Sequence, residues 1–362
     1  MGENRRQHYV PKFYLSKFGA GSRQVDLLNL SSGQLVRGAS IKGQCYRNNF
    51  YGADGELERA FATHEAQLAP IFRRVHEDPW IPQRNTEDWV SVMTFIAMQH
   101  NRTQAAATLT DEMFDESTRQ LLAEDGRFDE ATLSAMRVKA TNPVQISLSS
   151  ALDAAMGLDD LQPLLLTAAN PSFVTSDHPV ALYNTYAESV TWAGVTGVLC
   201  SGLQVFYPLT PSCCLLLYDG KVYGVTPKRA MLPVTSSDAE QINKVIASQA
   251  GRNIYFGPWF GDEEAHSLAR AVARVRLSPR IKFEKADEVL EQPRANGIRR
   301  VLMHMFFPVP VVRPKLSMIR LRKRAEKTPI HERGSQWRKH LRPRGIEPCA
   351  PLEPGTFRVR RP

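Results

Sequence analysis

The stretch from residue 86 to 107, TEDWVSVMTFIAMQHNRTQAAA, constrains the fold most. Thr86 is a good helix cap, and the charges of Glu87 and Asp88 favour a helix N-terminus. The residues after them are apolar nearly all round, so the spacing predicts a helix that needs neighbours on every side and lies at the centre of the fold. Trp89, Met93, Ile96, His100, Thr103 and Ala107 share one stripe, while Arg102 projects to another side near Phe95 and Met98. Two polar groups therefore enter an apolar layer.

The neighbours can be read on both sides of it. Residues 5 to 18, RRQHYVPKFYLSKF, are too apolar to be left in water, so the chain's beginning is predicted to be buried, with His8 fixed on a strand or turn because Pro11 forbids a helix interior there. Residues 24 to 41 alternate and turn at SSG, as a hairpin does. In ELERAFATHEAQLAPIFRRVHED, Leu57, Phe61, His64, Leu68, Ile71 and Val75 recur at helical spacing. Glu58 and Glu65, seven apart, lie within about 20° of each other and flank that stripe. Further helices are predicted over 110–124 and 128–157. From residue 163 the pattern changes to strands. PSFVTSDHPVALY reads as a strand, a polar turn and a returning strand, LQVFYPLTPSCCLLLYDG as a second pair, and KVYGV as a third element. Ser237 to Glu240 matches the S-x-x-E capping box of a helix, followed by a strand at NIYFG and a helix at EEAHSLARAVARV. Residues 299 to 321 look extended, as a late strand or a segment that packs on a partner.

The expected class is α+β: an N-terminal extended segment and hairpin, a helical middle layer, and a mostly antiparallel C-terminal sheet with flanking helices. One integrated domain is expected over 1–285, a partly extended appendage over 286–325, and a basic, disordered tail over 326–362. The net charge of +9 belongs to the tail: residues 310 to 362 hold 15 Lys and Arg against 4 Asp and Glu, leaving 31 against 33 for the rest. Such an arm could bind nucleic acid or another polyanion through counterion release, or be a solvated extension. The start has no apolar signal core, and no run approaches the ~18 apolar residues of a membrane helix, so a cytoplasmic protein without membrane contact is expected. Five scattered cysteines, without CxxC spacing, read as reduced thiols. GxGxxG, GxxxxGK[ST] and GxSxG are all missing, so nucleotide-cofactor, P-loop and α/β-hydrolase chemistry lack their signatures.

HYVPKFYLSKF, CYRNNFYG followed by a helix with spaced glutamates, the helical QHNRT, VTSDHPV followed by YPLTP, and the helix around Asn243 leading into RNIYFG occur in that order. Together they resemble the bacterial family known as domain of unknown function 4238, over roughly residues 5 to 280. The family has no agreed activity. The resemblance implies one α+β domain and makes His8, Glu65, Arg102 and Asp177 the positions that match its recurring polar residues; His100 and His178 are less typical.

Those four suit hydrolysis. His8, Glu65 and Asp177 have the residue types of a divalent-metal site with an open position for water, and Arg102 could hold a phosphate or a developing negative charge through parallel hydrogen bonds. No close motif enforces their convergence, and the cofactor is otherwise unknown. The expected function is a hydrolase of the phosphodiester type, with a metal-dependent nuclease as one form of it. A binding module for an anionic ligand or nucleic acid, and a noncatalytic interaction protein, stand as alternatives. Each residue also has a plain structural role: His8 pins the N-terminus, Asp177 caps a turn before His178 and Pro179, and Arg102 and Glu65 neutralise each other as a buried ion pair.

Overall fold

Burial of the N-terminal aromatics starts the layering. In the computed structural model, which describes residues 6–19, 23–190, 195–276, 281–285, 303–306, 310–325, 328–330 and 333, β1 (Arg6–His8) leads through Pro11 into one turn, α1 (Lys12–Leu15). Tyr9, Val10, Tyr14, Leu15 and Phe18 are all buried. The SSG hairpin forms as read, from β2 (Gln24–Asn29) and β3 (Leu35–Ser40), and β4 (Tyr46–Asn48) pairs antiparallel with β1, setting His8 opposite Tyr46.

The helical layer comes next. α2 (Glu56–Glu77) turns Leu68, Ile71, Phe72 and Val75 inward, and α3 (Glu87–Asn101) is capped by Thr86, whose hydroxyl accepts from the Trp89 N–H. The helix predicted to continue through residue 107 instead stops at Arg102, and Thr103 caps a new helix, α4 (Gln104–Asp125), by accepting from the Ala106 N–H. A threonine hydroxyl that satisfies an orphan amide makes the break inexpensive. The predicted helix over 128–157 is broken too, into α5 (Glu130–Ala135), α6 (Pro143–Ser149) and α7 (Ala151–Leu158). Asp129 caps the first, and Pro143 begins the second, where its missing N–H costs nothing.

Two sheets make up the second half. β5 (Gln162–Thr167), β6 (Thr175–Ser176), β7 (Ala181–Tyr183), β8 (Gln204–Thr210), β9 (Cys213–Tyr218), β10 (Tyr223–Val225) and β11 (Met231–Pro233) precede α8 (Ser236–Gln249), β12 (Asn253–Phe256) and α9 (Asp262–Arg276). One sheet has the order β11-β5-β9-β8-β7, with only β11 and β5 parallel; the other is β3-β2-β12-β6. The strands of PSFVTSDHPVALY are therefore not a hairpin: β6 joins β12 and β7 joins β8, and the polar SDHP segment crosses between sheets. The central strands show the period of 2 plainly. Val205, Tyr207, Leu209, Leu215 and Leu217 join the core under the helical layer, while Phe206, Cys214 and Leu216 pack on α8 with Ile242, Val245 and Ile246. Covered on both faces, these strands read as continuous apolar runs rather than as alternation. The cap of α8 is Thr235 with Asp238 in a reciprocal capping box, two residues before the Ser237–Glu240 match.

The remaining strands are β13 (Lys282–Lys285), paired with β14 (Met303–Phe306), and β15 (Ile319–Leu321), paired with β10. Residues expected in an appendage or tail are built into the domain. Leu316 and Met318 are buried with the α8 cluster, and Asp238 accepts from the Ser317 N–H at 2.7 Å and its hydroxyl at 2.8 Å. The Tyr186 hydroxyl bonds the carbonyls of Ala325 and Thr328, and Ser201 N–H donates to the carbonyl of Ile330. Arg333 is 2% exposed and salt-bridged to Asp160. The rest of the predicted tail, from 334 on, lies outside the described residues. Among the described residues no helix is long and apolar enough to cross a membrane, and Cys45, Cys200, Cys213 and Cys214 are buried and form no disulfide.

Candidate functional site

The break between α3 and α4 places a buried guanidinium in the core. Arg102 occupies the last position before the break, with its backbone at φ −92° and ψ 4°, and its side chain is 1% exposed. Its guanidinium lies over two aromatic rings, 4.8 Å from the centre of Phe61 and 5.5 Å from that of Phe95. Nε donates to Gln99 Oε1 at 2.9 Å, and Nη1 donates to Glu65 Oε1 at 2.9 Å. Gln99 is itself held, because its amide donates to the carbonyl of Tyr9 at 2.9 Å. The expected ion pair of Arg102 with Glu65 is therefore present. Nη2, the third arm of the fork, is buried and has no hydrogen-bond partner among the described residues.

Other polar groups gather around this guanidinium. Glu58, on the same face of α2 as Glu65, is half-buried; burial and the neighbouring Glu65 carboxylate push its carboxyl above the ordinary range, while Arg102 and then Lys12 pull it back. Tyr51 lies within electrostatic reach of Arg102, Glu58 and Glu65. Its ring packs on Phe61 at 4.9 Å, and its hydroxyl donates to the carbonyl of His8 at 3.3 Å. Tyr207, reaching in from β8, also feels Arg102 and Glu65, and its buried hydroxyl has no partner among the described residues.

His8 borders this group rather than entering it. Its ring packs on Tyr46 at 5.7 Å, and Nε2 is buried without a partner among the described residues. Burial and then the Lys12 charge lower its affinity for a proton, against a hydrogen bond to the Lys42 backbone, so the imidazole is neutral at pH 7. Lys12 is the link, since its charge reaches both His8 and Glu58.

Asp177 is elsewhere in function. Its two oxygens accept from the backbone N–H groups of Gly251 at 2.7 Å, Arg252 at 2.7 Å and Asn253 at 3.3 Å. Burial pushes its carboxyl up against the pull of those donors. The carboxylate fastens the α8–β12 turn, a longer-range job than the local turn cap expected from sequence. Gly251 allows the close approach: a Cβ there would stand 3.1 Å from Asp177 Oδ2, a tight contact that the carboxylate would have to relieve. The metal triad of His8, Glu65 and Asp177 is thereby corrected. Asp177 is occupied by amides and Glu65 by Arg102, and among the described residues no group of three or more His, Cys, Asp or Glu side chains could hold a metal ion.

The two histidines given less weight are structural neighbours of the break. His178 Nδ1 and the Thr103 hydroxyl are 2.6 Å apart, His100 Nδ1 lies 3.1 Å from the Val180 carbonyl, and the two rings are 4.8 Å apart. They tie the SDHPV crossing to the residue after Arg102. Asn243, central to its helix, accepts from Val174 N–H and donates to the Ser172 carbonyl, fixing the segment that leads into β6. Sequence reasoning missed Tyr51 and Tyr207 as members of the site. Nothing in local spacing marks them, since both look like ordinary core aromatics.

The segments that form this centre are those whose order carries the resemblance. No curated protein and no solved structure matches the chain. A family model described as "Protein of unknown function (DUF4238)" matches residues 6–259, most of the chain and every residue of the centre described above, and the chain belongs to that family.

Proposed function

We propose that this chain is a hydrolase of the phosphodiester type that works by acid–base chemistry at Glu58, Glu65 and Arg102, with His8 at the rim. One observation carries the reading. Two carboxyl groups, two turns apart on one helix face, lie within electrostatic reach of a single buried guanidinium, which salt-bridges Glu65; Glu58 is half-buried, and burial and then the Glu65 charge raise its proton affinity against the pull of Arg102. Carboxyl groups held in unlike environments are the usual basis of an acid and a base working together. Seven residues of helix separate their backbones by about 10.5 Å along the axis, leaving room for a bond and its attacking water between them.

The step balances without a further reactant. Water attacks phosphorus and gives its proton to Glu65, whose Oε1 is held by Arg102. The bond to the leaving oxygen breaks, and Glu58 delivers its proton to that oxygen. Arg102 faces the charge on the non-bridging oxygens, the role for which a planar, fixed guanidinium is suited. His8, neutral and with Nε2 unengaged, contacts the outer part of the substrate. A metal held by His8, Glu65 and Asp177 has no part in this reading. A bacterial cytoplasm is the proposed setting, one in which thiols such as those of Cys45, Cys213 and Cys214, unbridged among the described residues, stay reduced. Arg338, Lys339, Arg342, Arg344, Arg358, Arg360 and Arg361 recruit polyanionic substrate, and removing residues 334–362 is expected to lower the salt slope of any nucleic-acid binding.

The test is hydrolysis of an activated aryl phosphodiester. Glu58→Gln is expected to lower turnover by about 10²- to 10⁴-fold at an unchanged melting temperature, the range for loss of a general acid. Full activity in that variant, or an inactive wild-type chain, contradicts the hydrolase. The unpartnered Nη2 of Arg102 favours a second reading, a binding module for an anion, which phosphate binding without turnover would support.

A further inference from the structure

Among the described residues, buried tyrosine hydroxyls find partners, with a conspicuous exception beside Arg102. Tyr14 Oη lies 2.6 Å from the Thr175 hydroxyl and donates to the Pro208 carbonyl; Tyr183 donates to Glu188; Tyr223 donates to the carbonyl of Gly202. Tyr207 is completely buried and its hydroxyl has none. Its ring is fixed by Tyr14, stacked at 5.2 Å, by Phe72 at 6.2 Å and by Phe95 at 6.3 Å. Phenylalanine would fill the same space without leaving a polar atom stranded. A buried hydroxyl without a partner costs about 1–3 kcal/mol, so the position bears a cost that packing does not explain. Arg102, packed on the same Phe95 ring, leaves Nη2 stranded as well. Both are donors, and the nearest carboxylate, Glu65, is already engaged by Nη1.

We propose that Arg102 Nη2 and Tyr207 Oη are the two donors of one internal oxyanion site, and that the group it takes is the phosphoryl group of the substrate. The phosphoryl assignment rests on the hydrolase reading above; the pairing of the two donors does not. Two unsatisfied donors and one fixed positive charge call for an acceptor that carries negative charge on more than one oxygen. Glu65, salt-bridged to the same guanidinium, is 24% exposed, so the group is not wholly sealed from solvent. Tyr207 is on this view a binding residue, contributed by the sheet to a centre otherwise built by helices.

The experiment is thermal unfolding of the full chain titrated with inorganic phosphate, with sodium chloride at matched ionic strength as control and sodium acetate as a second arm. The wild-type chain is expected to show a saturable rise in melting temperature with phosphate. Tyr207→Phe is expected to melt at the same temperature as the wild type or higher without ligand, because it loses a stranded hydroxyl, and to bind phosphate at least about tenfold more weakly. A lower ligand-free melting temperature in Tyr207→Phe would show that the hydroxyl already has an internal partner and would overturn the proposal. So would a phosphate response that does not saturate, as when an internal water fills the place, or one that is the same in both chains. A saturable response to acetate alone would overturn the phosphoryl assignment. Because binding is read without turnover, a failed hydrolase and a failed oxyanion site give different results.

Discussion

Arg102 and Arg333 are buried in nearly the same way and in very different company. Each donates through Nε to a neutral oxygen, Gln99 Oε1 or the Cys200 carbonyl, each salt-bridges one carboxylate through Nη1, and each leaves Nη2 without a partner among the described residues. An unpartnered guanidinium nitrogen is therefore not sufficient to mark a site. Around Arg333 the second acid, Asp219, is spent on the backbone N–H groups of Gly202 and Lys221. Around Arg102 the second acid, Glu58, has a raised proton affinity and a second donor, Tyr207, is stranded. Arg102 also lies inside the stretch matched by the family model, whereas Arg333 lies beyond its end. Arg333 ties the C-terminal segment to Cys200 and Asp160, whereas Arg102 is proposed above to have the different task of holding a ligand.

The largest stability effect is expected away from both arginines. Asp177→Ala leaves three partly buried backbone N–H groups without their shared acceptor and should cost about 3–5 kcal/mol by chemical denaturation, with no change in activity per folded molecule. A loss of turnover at full stability would return Asp177 to the reacting centre. Next come the partners of the two arginines. Glu65→Ala and Asp160→Ala each leave a buried guanidinium uncompensated, and because both acids are about a quarter exposed the cost is about 2–3 kcal/mol rather than the full burial penalty. Activity should fall only in the first; equal loss in both would erase the distinction drawn between the two arginines.

A smaller effect concerns pH. Burial lowers the proton affinity of His8, His64 and His100, so each binds its proton less readily folded than unfolded. Stability is then complete above the unfolded value of about 6.5 and declines as pH falls below it towards the depressed folded values. Thermal melts between pH 8 and pH 5 should show a plateau and then a decline. His100→Gln should make that decline shallower, because protonating His100 places a charge against His178 and an apolar layer. An unchanged slope would show that His100 does not contribute.

The class and the main layers were legible in the sequence because helical spacing and strand runs are local. The hairpin at SSG, the strands at VFYPLT and NIYFG, and the buried N-terminus all arise from residues close in the chain. Two features escaped it for physical reasons. The SDHP crossing looked like a hairpin turn because partner choice is set by β12 and β8, distant elements that the two short strands do not reveal. The helix end at Arg102 was hidden because QHNRTQAAA has good helical spacing throughout, and only the Thr103 cap decides for a break. At the site, the pairing of Arg102 with Glu65 was one of two readings open from sequence. The satisfaction of Asp177 by three amides of a distant turn was not readable at all.

The division between the two arginines is tested most directly by turnover of an activated aryl phosphodiester in Arg102→Lys beside Arg333→Lys, both at a temperature where each is folded. Lysine keeps the charge but not the planar fork. Arg102→Lys should lose about 10²-fold or more, the usual effect of removing one donor from a charge-stabilising site, while Arg333→Lys stays within about twofold of the wild type. Comparable rates in the two variants would contradict the assignment of Arg102 to the reacting centre.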